Sequence, residues 1–466
     1  IFVTGSPLRL SSHVLFVWLE VASVRCAVML AEPDDTPKRQ LIRRGSVPLA
    51  KVDVHPSRTR GSVEDVFIPP EALAELYHLH ETFRREHLSF QPDDTSPAAL
   101  EAIWGQRTWT AYAELPIGPR EQPLHVRDVR VVPVSNVGEV HFKSWKDTGA
   151  ALNMKGQKST FDATVGQDNF SVSQLSDGWQ MMCVMDGHGR MGHWPATRAV
   201  QTLPFFLQAP SCLTMLKQGQ VKAAIIHAFK KVQKDLEDRS IHENVDLQIS
   251  GSTAVAALSH PQKDKIWVGT SGDSRALMFL PGQEDALHAT VDHKPSCNEE
   301  KERVERCGCE VIRKEYPDGE VEERVNIKGK GYPGMCMTRA LGDLMMKSYG
   351  IIAEPEVVEW QKVPGAMLFI ASDGVWEFFT NCEVVQVLSR SLLAGETPAQ
   401  ACQLMLELSR KAWRENSGVY CDDITMILTP LDYAGAQQDL STSRCAVCAW
   451  RRWHLNVMFG IARQVP

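Results

Sequence analysis

The strongest constraint on this chain is a set of short apolar runs, each five to seven residues long, that stop or start beside an aspartate. Trp179 to Met185 (WQMMCVM) ends at Asp186-Gly187, Ala366 to Ala371 (AMLFIA) ends at Ser372-Asp373-Gly374, and Ile424 to Leu428 begins just after Asp422-Asp423. Thr253 to Leu258 and Lys265 to Gly269 are further runs, and Ala276 to Leu280 follows the turn Ser271-Gly272-Asp273. Runs this short, bounded by Gly and Asp, read as strands. Between them lie helical patterns over Val221 to Leu236, Asn298 to Arg306, Cys382 to Leu393 and Pro398 to Trp413. Hairpin-length gaps between several strands, interleaved with long helices, predict a mainly antiparallel α+β layered domain. No tandem repeat of fixed period is present.

The 466 residues are about two to three average domains, so one large catalytic domain with an extension is expected. The boundaries predicted are an N-terminal extension over 1–139, a catalytic domain over 140–432 and a C-terminal tail over 433–466. Within the extension, residues 32–70 read as a polar linker and Glu71 to Glu86 as an amphipathic helix, followed by Pro92 and Pro97. The segment carrying Trp104, Trp109 and Tyr112 offers no chemistry. Charge is 50 − 57 = −7, which argues against a basic nucleic-acid binder. Twelve Cys at irregular spacings in so long a chain suggest reduced thiols in the cytoplasm or nucleus rather than a disulfide framework. Val14 to Ala31 is apolar, but Glu20 and Arg25 interrupt it, so a folded terminus is favoured over a targeting or membrane segment. Arg43-Arg44-Gly45-Ser46 would suit a basic-directed kinase, although an ordinary polar linker is favoured. A monomer is expected.

Carboxylates at several strand ends can converge on one edge of a sheet, where only protons or cations relieve their repulsion. Asp186, Asp373 and Asp422 sit at such ends, and Asp168 follows Gly166-Gln167. Oxygen-only donors point to a hard divalent ion, Mg²⁺ or Mn²⁺. One Asp-Gly alone is usually just a turn. The ordered set is what carries meaning: Gln167-Asp168-Asn169-Phe170, Val184-Met185-Asp186-Gly187-His188-Gly189, Gly251-Ser252-Thr253-Ala254 and Gly272-Asp273-Ser274-Arg275-Ala276. It continues with Asp292-His293-Lys294-Pro295, Thr338-Arg339-Ala340-Leu341-Gly342-Asp343, Ala371-Ser372-Asp373-Gly374-Val375-Trp376-Glu377 and Cys421-Asp422-Asp423-Ile424-Thr425.

This set resembles the metal-dependent serine/threonine phosphatases of the PPM/PP2C type, over roughly residues 140 to 432. Gly192-His193 and Tyr332-Pro333-Gly334 look more like the plant and protozoan branches. The resemblance implies a four-layer α/β/β/α sandwich of two antiparallel sheets flanked by helices, with a two-metal site at one edge. It implies that Asp186 bridges both ions, that the Gly187 carbonyl binds one, and that Asp373 and Asp422 bind the other. Asp168 would hold metal-bound water, with Gln167 where the family often has Glu, and Asp273 and Glu377 would build a weaker third site. The expected cofactors are therefore two Mn²⁺ or Mg²⁺ ions with a weaker third, and the expected substrates are phosphoserine and phosphothreonine proteins. A bridging hydroxide would attack phosphorus in line without a phosphoenzyme. His188, titrating in the useful range, is the candidate general acid.

Several positions depart from the family pattern. No Arg precedes the first acidic block; Lys155 or Lys158 could supply the phosphate-binding charge, as point charges rather than a bidentate fork, or both could be solvated surface residues. Asp423 stands where Asn is common, and its extra carboxylate could raise a neighbouring pKa or tighten metal binding. Glu377 replaces a commoner Asp, and Cys309 replaces a usual Gly. The charged, Gly-rich stretch from Arg313 to Gly331 falls where the family places a flap. Cys445-Ala446-Val447-Cys448 is half a zinc site at best, and Trp450-Arg451-Arg452-Trp453 reads as an ordinary tail. Two rivals share these residues: a weak or inactive phosphatase-like module that binds phosphoproteins, and a hydrolase of some other phosphoester.

Overall fold

The computed structural model describes the backbone of residues 16–21 and 24–29, and residues 69–87, 93–114, 129–133 and 142–431 apart from 163, 317, 318 and 320. The C-terminal Cys-x-x-Cys pair, the Trp-Arg-Arg-Trp patch and Ser46 lie outside these residues. Two units divide the chain, residues 1–52 and 53–466. In the first, the apolar segment is a hairpin: Phe16–Val21 pairs antiparallel with Val24–Met29, with Glu20 opposite Arg25. Among the described residues no helix is long and apolar enough to cross a membrane.

The second unit is built on two antiparallel sheets. The described residues form a seven-stranded sheet in the order Glu356–Gln361, Lys265–Ser271, Ala254–Ser259, Gln180–Met185, Asn169–Gln174, Trp109–Ala113 and Val129–Val132. They also form a five-stranded sheet in the order His288–Ala289, Arg275–Phe279, Met367–Ala371, Ile424–Pro430 and Ala150–Met154. Strand alternation divides the core in two. Met182 and Val184 point to the layer between the sheets, where they join Val255, Val268, Met278, Leu368, Ile370 and Ile427. Met181, Cys183 and Met185 point the other way, onto the helices His193–Leu207 and Val221–Glu243. On the far side of the five-stranded sheet lie Asn381–Leu393 and Pro398–Ser417. This is the four-layer α/β/β/α sandwich.

The predicted division at 139/140 falls inside a sheet. Trp109–Ala113 pairs with Asn169–Gln174, Ala111 opposite Val172, and carries Val129–Val132 on its other edge. Every residue of Trp109–Ala113 is buried: Tyr112 faces the helix layer, while Trp109, Ala111 and Ala113 face the inter-sheet layer. A strand covered on both sides lacks the polar alternation that would advertise it. The helix that begins at Val221 runs past the expected Leu236 to Glu243, where Asn244 turns left-handed at φ 57°.

Two smaller sheets shape one end of the sandwich. Cys309–Glu315, Val321–Ile327 and Pro333–Met335 form a three-stranded sheet, the flap, that spans the stretch from Arg313 to Gly331. The helix Pro70–His87 packs on it through Ala72 and Leu76. Gly187–His188, Gly251–Ser252 and Leu341–Gly342 form three very short strands that bring His188 beside the segment ending at Asp343.

Candidate active site

The strand ends deliver their acids to one place. Asp186 follows Gln180–Met185; its N–H donates to Thr253 Oγ1 at 3.2 Å, and the Thr253 N–H donates to its carbonyl at 2.8 Å. Asp168 precedes Asn169–Gln174, Asp422 lies just before Ile424–Pro430, and Asp273 occupies the turn between Lys265–Ser271 and Arg275–Phe279. Asp373 opens the short helix Asp373–Trp376, and Glu377 follows one turn later, its N–H donating to the Asp373 carbonyl at 2.9 Å. Burial, then the charges of Asp373, Asp168, Asp422 and Asp273, push Asp186 well above the usual carboxylate range. Burial, then Asp422, Asp273 and Glu377, do the same to Asp373. The six acids singled out in the sequence therefore lie within electrostatic reach of others of the set. Gly187 must be glycine, because a Cβ there would stand 2.2 Å from the Gly192 carbonyl oxygen and 2.7 Å from that of Gln167.

The donor set fits a hard divalent cation in chemistry and in charge. It consists of carboxylates and a carbonyl, and Oδ1 of the buried Asp273 accepts no hydrogen bond. It is not a preassembled cage, since among the described residues no three His, Cys, Asp or Glu groups stand as a ready metal site. Two ammonium groups share the negative charge instead. Lys158 Nζ forms an ion pair with Asp422, lies 3.4 Å from the Tyr420 hydroxyl and sits over that ring at 5.3 Å. Burial would raise Asp422, but Lys158 outweighs it and holds the carboxyl below its usual range. Lys294 Nζ lies 3.6 Å from Asp273 Oδ2; burial opposes its charge, yet Asp273, Asp292, Glu377 and Asp373 together raise its pKa.

Of the two candidate phosphate-binding lysines, only Lys158 reaches the acids. Lys155 is buried, donating to Asp162 Oδ2 at 2.5 Å and to the Gly156 carbonyl at 3.0 Å. It is neither a phosphate ligand nor a solvated surface residue: its position at the end of Ala150–Met154 turns it inward, and Asp162 makes that burial tolerable. Asp423 is a fastener. Its carboxylate accepts the Gly156 N–H at 2.5 Å, the Gln167 N–H and, more weakly at 3.4 Å, the Asp168 N–H. It also adds negative charge beside Asp168, whose pKa rises to about 7 through burial first and Asp423 next, against a hydrogen bond from the Ser372 hydroxyl at 2.7 Å.

His188 Nε2 lies 2.8 Å from Asp343 Oδ2, a carboxylate that is 1% exposed. Burial disfavours the imidazolium, but Asp343 outweighs it and the His188 pKa rises. Asp343 adopts a left-handed conformation, φ 45°, and its N–H donates to the Ser250 carbonyl at 2.9 Å. Gly251 makes the approach possible, for a Cβ there would meet Asp343 Oδ2 at 2.2 Å. The sequence shows Asp343 at the end of the Thr338–Asp343 block but gives it no role; the signal was an Asp after Gly in a motif shared with His188.

The family model for protein phosphatase 2C matches residues 147–418. A probable protein phosphatase 2C 64 of Oryza sativa subsp. japonica is 30% identical, over 66% of this chain and 67% of its own length. A probable protein phosphatase 2C 52 of Arabidopsis thaliana is 30% identical, over 54% of this chain and 58% of its own. The crystal structure of serine-threonine phosphatase 2C from Toxoplasma gondii shares the fold at a TM-score of 0.50 and 20% identity, over 68% of this chain and 98% of that one. The chain belongs to the protein phosphatase 2C family, and its enzyme class is that family's: protein serine/threonine phosphatase.

Proposed function

We propose that this chain hydrolyses phosphoserine and phosphothreonine in proteins with two Mn²⁺ or Mg²⁺ ions, a third binding more weakly. Asp186 and the Gly187 carbonyl would hold one ion, and Asp186, Asp373 and Asp422 the other. Asp273 and Glu377 would hold the third, and Asp168 a water beside the pair. Divalent ions bound there supply neutralising charge and water acidic enough to attack phosphorus near neutral pH. The protein's own groups do the rest. His188, kept charged by Asp343, gives its proton to the departing seryl or threonyl oxygen. Lys158, free to exchange Asp422 for a phosphoryl oxygen, draws the substrate's negative charge to the acids. Asp423 keeps the backbone of Gly156 and Gln167 in place around them.

One observation carries this reading: carboxylates from separate strand ends, the buried Asp168 and Asp273 with the half-buried Asp186, Asp373 and Asp422, lie within electrostatic reach of one another with more negative charge than the two lysines offset. Phosphate release from a phosphothreonine peptide, measured with Mn²⁺, with EDTA, and in an Asp186→Asn/Asp373→Asn variant, tests it. Turnover that needs the ion and vanishes in the variant is expected. A folded protein inert at millimolar Mn²⁺ would sink the proposal.

A further inference from the structure

The helix Pro70–His87 lies outside the segment that matches the family, yet it packs on the flap and reaches the loop after His188. Ala72 and Leu76, 3% exposed, pack in one cluster with Cys309, Val325, Ile327 and Tyr332 of the flap. Around that contact, Lys330 Nζ and the Tyr332 hydroxyl reach Glu75 Oε2 at 3.0 and 3.3 Å. On the other side of Glu75's turn, Arg190, next to Gly189 of the Asp-Gly-His-Gly block, donates to the Tyr77 hydroxyl at 3.3 Å. One helix therefore touches both the flap and the loop that follows His188.

The grip is one-sided, and strand alternation says what it leaves open. Cys309, Val325 and Ile327 face the helix, with Val311 partly buried beside them. The register Ile312↔Arg324 and Lys314↔Glu322 then puts Ile312, Lys314, Glu322 and Arg324 on the opposite face. Ile312 is 46% exposed. The flap also leads into the site: Tyr332 precedes the strand Pro333–Met335, and the next residue, Cys336, lies within electrostatic reach of Asp273 and Asp373. Ion pairs as exposed as Lys330–Glu75 hold little by themselves. The anchor is the buried Leu76.

We propose that the helix Pro70–His87 is a selectivity element that fixes the flap by its buried face, so that the Ile312–Arg324 face forms a set wall against the polypeptide flanking the phosphorylated residue. This rests on the phosphatase reading. Glu75, Leu76 and Tyr77 are positioning residues, and their loss affects substrates that have flanking chain more than those that do not.

The test uses the full chain with Mn²⁺ and two variants: Leu76→Ala, and the milder surface pair Glu75→Ala/Tyr77→Phe. Amide hydrogen exchange over 309–315 and 321–335 is measured beside turnover of p-nitrophenyl phosphate and of phosphothreonine peptides that differ around the phosphorylated residue. Flap exchange at least fivefold faster is expected in Leu76→Ala. Its kcat/KM for peptides should fall threefold or more, chiefly through KM, with p-nitrophenyl phosphate within twofold of wild type. The surface pair should show the same pattern, smaller. Unchanged flap exchange in both variants overturns the grip, and equal losses on both substrate types overturn the selectivity role. Wild-type protein inert on both substrates would fell the phosphatase reading and the selectivity role with it, while exchange still decides whether the helix holds the flap.

Discussion

Two residues separate Lys155 from Lys158, and a single carboxylate decides their different surroundings. Asp162 accepts from Lys155 Nζ at 2.5 Å and from the Lys158 N–H at 2.8 Å, so it buries one side chain and turns the other toward Asp422. Burial opposes the Asp162 charge, but these bonds and those from Thr164 hold its pKa down to about 2. A carboxyl lowered from its unfolded value stabilises the fold above about pH 4, and that contribution is lost as pH falls toward 2. Lys155→Met is expected to cost about 3 kcal/mol in urea unfolding at pH 7, a gap that narrows at pH 3 as the carboxyl protonates. Lys158→Met should act differently. With no ammonium competing for Asp422, Mn²⁺ should bind about fivefold tighter by calorimetry while peptide KM rises; weaker Mn²⁺ binding would contradict the competition. The sequence showed both lysines as equal candidates, because burial of a long cationic side chain depends on a partner seven residues away in an irregular loop. It showed the acids plainly, since strand ends and Gly turns are local features.

At the scale of elements, most of the architecture was legible because each piece carries its own stop signal. Thr380 and Thr397 cap their helices with reciprocal bonds to Glu383 and Gln400, a pattern visible three residues ahead. The strands ending at Asp186 and Asp373 are bounded by Gly. What was not legible was the three-strand cluster around Gly187–His188, whose elements are two residues long and exist through tertiary contact. The backbone of Gly192 and Gln167 leaves no room at Gly187, so Gly187→Ala should lower phosphate release at least a hundredfold. Circular dichroism near wild type would show that the loss arises in the loop and not in the fold; retained activity would mean that the carbonyls of Gln167 and Gly192 can give way.

For the whole molecule, the seven-stranded sheet settles where the chain can be cut. A fragment of residues 140–432, the domain as its motifs suggest it, lacks Trp109–Ala113 and Val129–Val132 and exposes the edge of Asn169–Gln174 together with Phe170 and Val172. It should be recovered mainly as aggregate, whereas a fragment starting at residue 53 should stay soluble with a cooperative melt; comparing the two by gel filtration and thermal unfolding checks this. The five-stranded sheet has another consequence. Ile424–Pro430 lies between Met367–Ala371 and Ala150–Met154, so a strand made late in synthesis is inserted beside one made early. Asp422 and Asp423 come with it, and Asp423 reaches back to Gly156. A nascent chain halted before residue 420 therefore lacks that inner strand, and with it Asp422 and Asp423. Under the proposed metal-assisted reaction such a chain releases no phosphate, so a prematurely terminated product is silent.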